Sequence, residues 1–183
     1  MIGKGAMGNR SEEAIVEEHA DAAPVAGSAQ RCDVRRIWLC ADDYGISPAV
    51  SDAIRELLVL GRLNATSAMV VSPSLSRAEA LSLTILNAGS RRGAIGLHLT
   101  LSAPFRPLSA AFRPLRNGAF LPLAELARAA LLRRLDGTAI GREVEAQLEG
   151  FAALFGAAPD FVDGHHHVHL LPQVREAEQR YAT

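Results

Sequence analysis

Short apolar runs alternate with amphipathic segments along the chain from about residue 36 onward. The apolar runs predict four strands, over residues 36–41, 64–72, 94–101 and 160–165, and the first is compatible with burial on both faces. Because the intervening segments have helical periodicity, the strands should pair in parallel through right-handed crossovers. The pattern therefore predicts an α/β fold with its chemistry at the carboxyl edge of the sheet.

Capping residues mark where several of the predicted helices begin and end. Ser47 followed by Pro48 fits an N-cap and a first helical residue, and Gly61 fits the stop. Ser76 and Glu79 can form a capping box for the second helix. Further helices are expected over residues 122–135, 138–155 and from 172 onward. The helix over 138–155 should bury an apolar stripe at helical spacing: Ile140, Val144, Leu148, Phe151 and Phe155.

The first 33 residues differ in composition from the rest of the chain. Residues 1–33 are rich in alanine and glycine, carry several acidic side chains and contain no aromatic residue. Such a segment cannot bury enough apolar surface to offset the entropy lost on ordering. We therefore predict a disordered N-terminal tail over residues 1–33 and one domain over residues 34–183.

Length and charge restrict the class of protein. The 183 residues are 49% hydrophobic and carry a formal net charge of −1, which suits one domain with a substantial core. Near-neutral charge argues against nucleic-acid and membrane-surface partners. The spacing of Cys32 and Cys40 is not that of a disulfide framework. The sequence shows neither an apolar run of transmembrane length nor a signal peptide. We expect a cytoplasmic protein without nucleic-acid or membrane partners.

A histidine-rich stretch, DGHHHVH at residues 163–169, carries the strongest chemical signal. It holds four of the six histidines of the chain. Imidazole is the commonest protein ligand of divalent transition metals, so the density of histidines indicates a metal site. A polar loop whose histidines cap a helix or face water is the alternative that the stretch alone leaves open.

Three candidate metal ligands fall at predicted strand ends: one aspartate of the Asp42–Asp43 pair, His98 and His165. Side chains alternate along a strand, so one aspartate can bind a metal while its neighbour acts as a base. Taken singly, an aspartate before a helix can be a cap, and a lone histidine can be a hydrogen-bonded core residue. Together they form a two-histidine, one-carboxylate set, and Asp163 could orient one imidazole. This chemistry favours hydrolysis of an amide or an ester.

Three motifs resemble, in order and approximate spacing, those of the YdjC-like (ChbG/HpnK) carbohydrate deacetylase family. They are ADDYGIS at residues 41–47, GLHLTL at 96–101 and DGHHHVH at 163–169. The resemblance extends from about residue 36 to the end of the chain. It implies a deformed (β/α) barrel and the metal-dependent removal of acetyl groups from N-acetylated sugars such as chitooligosaccharides.

By position, the resemblance implies that Asp43, His98 and His165 bind one divalent metal ion, zinc or magnesium. It implies that Asp42 is the catalytic base. Two imidazole ligands favour zinc or another transition ion over magnesium. Three further residues are expected to support the ligands or to contact the substrate: Asp163, His167 and His169. The partner is then a small carbohydrate, and self-association into a homo-oligomer is compatible with this assignment.

The chain departs from the family pattern in two places. Residues 102–104, Ser-Ala-Pro, stand where the family usually has glycine soon after the His98 motif. Family members also continue beyond the point that corresponds to residue 183, and their later strands supply a histidine suited to act as general acid. A (β/α) barrel typically has eight strands over about 250 residues. We therefore expect about half a barrel, a truncated chain with weak or no activity that self-associates through its open edges.

Two alternatives to a deacetylase remain after the sequence analysis. A metal-dependent phosphoesterase would use the same ligands with a cationic phosphate clamp, for which Arg106, Arg113 and Arg116 are available. A catalytically inactive metal-binding remnant would bind the ion without turnover.

Overall fold

The computed structural model describes residues 37–89 and 93–181, so the predicted tail over residues 1–33 lies outside the described residues. Strands and helices alternate through most of the described chain, as the sequence pattern predicts. In order they are β1 (Cys40–Tyr44), α1 (Pro48–Val59), β2 (Ala65–Ala68), α2 (Arg77–Asn87), β3 (Ala94–Leu99), α3 (Leu123–Leu131), α4 (Gly137–Phe155), β4 (Val162–Gly164), a 3₁₀ segment (His165–Leu170) and α5 (Pro172–Tyr181).

The four strands form one sheet in the order β1-β2-β3-β4, and each neighbouring pair is parallel. Each strand therefore lies beside the next one along the chain, and their carboxyl ends meet at one edge. The α/β class and the parallel pairing predicted from the sequence are confirmed. Among the helices of the described segments, none combines the length and apolarity needed to cross a bilayer.

The first strand begins later than predicted. The expected strand covered residues 36–41, whereas β1 starts at Cys40, and the side chains of Ile37, Trp38 and Leu39 are 73%, 60% and 56% exposed. The side chain of Asn64 accounts for the shift. Its Oδ1 accepts from Leu39 N at 2.7 Å, and its Nδ2 donates to Ile37 O at 2.9 Å. Those backbone groups therefore bond to a side chain instead of a neighbouring strand, and the predicted burial of this run is wrong.

Three other strands are shorter than predicted. β2 stops at Ala68 and β3 at Leu99, and β4 covers only Val162–Gly164. His165 therefore does not end the fourth strand, as predicted, but opens the 3₁₀ segment. His166 and His167 in that segment have φ of 55° and 57°, and two consecutive residues in the left-handed region end the extended backbone.

The predicted helix caps are present, with one difference. Ser47 caps α1 and accepts from Val50 N, and the left-handed Gly156 ends α4. Ser76 accepts from Glu79 N at 3.2 Å, as a capping box requires. The carboxylate of Glu79 pairs instead with the guanidinium of Arg55. It therefore does not accept from the backbone N–H of Ser76, which would be the second hydrogen bond of a capping box.

Helix α4 packs against both hydrophobic clusters of the described chain. Ile140 and Val144 belong to a cluster with α3, α5 and the end of β3, while Phe151 belongs to a cluster with α1, α2 and the sheet. The two ends of the predicted apolar stripe therefore pack into different clusters. Tyr44, Leu97 and Leu99 are fully buried and place the strand ends in this core.

Gly96 in β3 is a position where the packing leaves no room for a side chain. A Cβ built there would lie 2.5 Å from ring carbons of Phe161. We expect Gly96→Ala to lower the free energy of unfolding by about 1–3 kcal/mol, because the aromatic ring would have to move. Gly137→Ala is the control, since nothing lies within 4 Å of a Cβ at Gly137. Equal denaturant midpoints for the two variants would contradict the prediction.

Candidate metal centre

Asp43, His98 and His165 meet at the carboxyl edge of the sheet. Oδ1 of Asp43 lies 2.9 Å from Nδ1 of His165 and 3.2 Å from Nε2 of His98. One ligand atom from each residue lies within 4.8 Å of the others. Both histidines are buried, while the aspartate remains partly exposed. The trio therefore presents one oxygen and two nitrogens to a small common volume that is open on one side.

A bulge in β1 turns Asp43 toward the histidines. Ala41 pairs with Thr66 and Tyr44 pairs with Ala68, so β1 has one residue more than β2 over this interval. Asp43 takes a left-handed conformation with φ of 65°. Left-handed backbone is uncommon for a residue other than glycine and marks a position that its surroundings hold in place.

The other ring nitrogen of His98 is held by Asp163. The two residues face each other in the β3–β4 register, and Nδ1 of His98 lies 2.7 Å from Oδ1 of Asp163. Ser67, on β2, donates to Oδ2 of Asp163 at 2.8 Å, which fixes the carboxylate. Asp163 thus occupies the orienting position that metal-binding histidines usually require.

The lone pairs of this arrangement indicate that a cation fits between the ligands. With the Nδ1 proton of His98 donated to Asp163, Nε2 presents a lone pair toward the Asp43 carboxylate, 3.2 Å away. Two electron-rich atoms at that distance are stabilised by a positive charge between them. One carboxylate and two imidazoles are a common ligand set for a divalent metal ion with open positions.

The environment of His165 favours its neutral form, which is the form that binds a metal. Burial lowers the pKa of His165, and the adjacent His166 lowers it further, while the carboxylate of Asp43 acts in the opposite direction. The ring of Phe105 stands edge-on to the His165 ring at 5.9 Å and restricts solvent on that side.

Asp42 is adjacent to Asp43 but does not belong to the group of three candidate ligands. It is exposed, and its carboxylate groups with Cys40 and Asp163. Burial raises the pKa of the Cys40 thiol to about 12, and the carboxylates of Asp163 and Asp42 contribute to the rise. The thiol is therefore protonated at neutral pH in the metal-free chain.

The remaining histidines of the stretch lie outside the trio. His167 is exposed, and His169 packs its ring against Gly164, with Nδ1 buried and without a partner among the described residues. His166 is exposed and places Nδ1 3.0 Å from Oγ of Ser102. None of these three belongs to the group of candidate ligand atoms around Asp43.

Two residues that contact the centre were not anticipated from the sequence. Ser67 and Phe105 carry no motif of their own. The alternation of side chains along β2 could have placed Ser67 on the same face as its neighbours at the strand ends. Phe105 lies in the long loop after β3, where no periodicity exists to orient it.

Two of the three arginines proposed as a phosphate clamp, Arg113 and Arg116, are engaged elsewhere. Arg116 forms an ion pair with Glu125 at 2.7 Å. Arg113 donates to the backbone oxygens of Ala110 and Phe112 at 3.1 and 2.6 Å. These contacts hold the loop itself and do not favour a cluster of free guanidinium groups beside the trio.

Removal of the Asp163 carboxylate should weaken metal binding without removing a ligand. In Asp163→Ala the imidazole of His98 loses the acceptor that fixes its orientation and raises its basicity. We expect a loss of about 10–100-fold in zinc affinity, measured by competition with a chromogenic chelator. Asp52→Ala, an exposed carboxylate on α1, is the control. Wild-type affinity in Asp163→Ala would mean that the 2.7 Å contact does not influence the ligand.

Comparison with known proteins agrees with this geometry. A family model described as YdjC-like protein matches residues 36–182. A chitooligosaccharide deacetylase from Enterobacter sp. (strain 638) is 33% identical over 146 residues, covering 78% of this chain and 54% of that protein. One from Yersinia pestis bv. Antiqua (strain Angola) is 35% identical over 135 residues, covering 73% and 50%. The chain spans about half the length of the curated relatives it matches.

A solved structure from Enterococcus faecalis V583, assigned as a candidate cellobiose-phosphate cleavage protein, shares the fold. It superimposes with a TM-score of 0.65 at 26% identity, over 78% of this chain and 54% of that chain. The match of the family model extends across all three motifs and confirms the resemblance noted in the sequence. The chain belongs to the YdjC-like family.

Proposed function

We propose that this chain carries the metal-binding part of the active site of a hydrolase that removes acetyl groups from N-acetylated sugars. The observation that carries the proposal is the trio of Asp43, His98 and His165 around one carboxylate oxygen, with Asp42 exposed beside it. Chitooligosaccharide deacetylases are among the proteins to which the chain is similar. A small acetylated carbohydrate is accordingly the substrate class.

The residues of the site have different roles in the hydrolysis. A divalent ion bound by the trio supplies Lewis-acid polarisation of the acetyl carbonyl and lowers the pKa of bound water to about 7. Asp42 is the base that accepts the proton as water adds to the acyl carbon. The C–N bond then breaks, the leaving amine takes the proton that Asp42 accepted, and acetate is released. Asp163 and Ser67 keep Nε2 of His98 free for the ion by holding its Nδ1 side.

The ligand set also bears on the identity of the ion. Two imidazoles and one carboxylate suit zinc or another transition ion better than magnesium, which prefers oxygen ligands. We therefore propose zinc as the ion bound most tightly, with magnesium as the weaker alternative.

The strand order supports a barrel as the architecture of the complete site. A sheet in which consecutive strands are parallel neighbours, β1-β2-β3-β4, has the order of barrel strands, and four strands are half of the usual eight. We propose that residues 34–183 form the first part of such a deformed barrel and act in the cytoplasm. In a barrel the active site lies at the carboxyl edge, where the trio is found.

Release of acetate tests the proposed function. The metal-loaded chain is incubated with diacetylchitobiose and, separately, with p-nitrophenyl phosphate. Acetate release that depends on zinc and is absent in Asp42→Asn supports the deacetylase. Phosphate release with no acetate would favour the phosphoesterase instead. Stoichiometric zinc binding with neither product would identify a metal-binding remnant.

A further inference from the structure

Helix α4 carries two fully buried polar side chains, Glu143 and Gln147, that the proposed reaction does not use. They are one turn apart, and Nε2 of Gln147 donates to Oε1 of Glu143 at 2.8 Å. Buried polar groups are costly unless they are hydrogen-bonded, so a pair in the middle of an apolar helix face calls for a physical reason. Their other partners all lie in one segment, residues 100–109, which we call the strap.

Gln147 holds the beginning of the strap. Its Oε1 accepts from Thr100 N at 3.1 Å, and its Nε2 donates to Thr100 O at 2.7 Å. The side-chain amide thus satisfies both backbone groups of the residue that follows the end of β3. Thr100 is two residues beyond the candidate ligand His98, so this contact fixes the chain as it leaves the metal centre.

Glu143 holds the end of the strap. Its Oε1 accepts from Leu108 N at 3.1 Å and its Oε2 accepts from Ser109 N at 2.7 Å. The carboxylate therefore has three N–H donors, counting Gln147, and each of its oxygens is occupied. Between the two anchors, backbone bonds join the strap to Leu121 and Phe120 at 3.0 and 2.9 Å.

The strap contacts two neighbouring histidines, the candidate ligand His165 and the adjacent His166. Oγ of Ser102, a fully buried residue, lies 3.0 Å from Nδ1 of His166. The ring of Phe105 stands edge-on to the ring of His165 at 5.9 Å. The rings of His165 and His166 are themselves 3.9 Å apart. A displacement of the strap would therefore move the surroundings of both histidines.

We propose that Glu143 and Gln147 are positioning residues. They hold the strap against the 3₁₀ segment that begins at His165 and so shape the substrate side of the metal centre. The assignment deepens the proposed function, since it concerns the same site. It predicts that the pair influences substrate binding and the histidine rings more than it influences metal affinity, because Asp43 and His98 lie in strands of the sheet and His165 directly follows one.

The test compares Glu143→Gln and Gln147→Met with Glu149→Gln, an exposed residue on the same helix. Hydrogen exchange should become about tenfold faster at Leu108 and Ser109 in the first variant and at Thr100 in the second, as for lost buried hydrogen bonds. Both variants should shift the ring ¹⁵N resonances of His166, keep zinc affinity, and raise KM for diacetylchitobiose more than they lower kcat.

The control should match the wild type in each of these measurements. Exchange rates equal to those of the control would overturn the proposal, and so would faster exchange with unchanged His166 resonances. If the two variants fail to fold, Ser102→Ala is tested in their place. It should shift the ring ¹⁵N resonances of His166, while hydrogen exchange at Leu108 stays slow. Unchanged His166 resonances in this variant would overturn the proposal. Absence of acetate release from the wild type would instead refute the proposed function, because exchange and ring resonances report on the strap without turnover.

Discussion

Replacement of His98 by alanine should remove most of the divalent metal ion that the chain binds. His98 contributes one of two nitrogens that face the Asp43 carboxylate, and its Nε2 is 3.2 Å from Oδ1. Without it, the ion would retain one carboxylate and one imidazole, which do not make a site of the usual three protein ligands. Zinc content after gel filtration, measured by atomic absorption, should fall from near one per chain to a small fraction.

His167→Ala is the matched control for that experiment. His167 lies in the same histidine-rich stretch but is exposed and outside the group of ligand atoms, so this variant should keep its zinc. Circular dichroism of both variants separates loss of a ligand from loss of the fold. Full zinc content in a folded His98→Ala would remove His98 from the ligand set.

In a preparation that releases acetate, replacement of Asp42 by asparagine should keep the metal and cost about 10²–10⁴-fold in kcat, the range typical of a lost general base. Asp42 is exposed and is not among the three candidate ligands, so its carboxylate is available to a water molecule rather than to the ion. Asparagine has nearly the same shape but cannot accept the proton. Acetate release and zinc content are measured on the same preparation.

Asp43→Asn gives the opposite pattern and serves as the comparison. It removes the charge that both histidines face, so zinc content and activity should fall together. If Asp42→Asn lost the metal and Asp43→Asn kept it, the roles of the two aspartates would be exchanged.

Local chemistry made the helices predictable. Ser47, Ser76 and Gly156 act through contacts with residues close to them in sequence, and all three are found where capping rules place them. The parallel α/β sheet also followed from alternating periodicity. These features depend on the few residues around each position, which is the range over which a sequence pattern carries information.

The strand ends were not predictable because distant residues decide them. Asn64 takes the backbone groups of Ile37 and Leu39 and so delays the start of β1. Two left-handed histidines after His165 replace the expected strand end with a 3₁₀ segment. The three candidate ligands nevertheless meet, since each lies within a residue or two of a carboxyl strand end and small shifts do not move it from the edge.

The polar pair on α4 shows a different limit. Ile140 and Val144 identify the buried face of the helix, but Glu143 and Gln147 are also fully buried and would be assigned to the solvent side from their type alone. Their burial depends on backbone groups of the strap, up to 47 residues away in the chain. The pattern of hydrophobic residues in the sequence does not predict such hydrogen-bond partners.

The span of the metal centre also bears on how much folded protein a cell would contain. Asp43 belongs to the first strand of the sheet and His165 follows the last, 122 positions further along the chain, so a bound ion ties the two outer strands of the sheet together. An ion that binds only the folded chain would stabilise it by about 2.7 kcal/mol at a free concentration of 100 Kd. Under zinc starvation the unfolded fraction would rise and become available to proteases. Metal supply would thus control abundance as well as turnover, and variants of the ligands would be degraded faster than variants of Asp42.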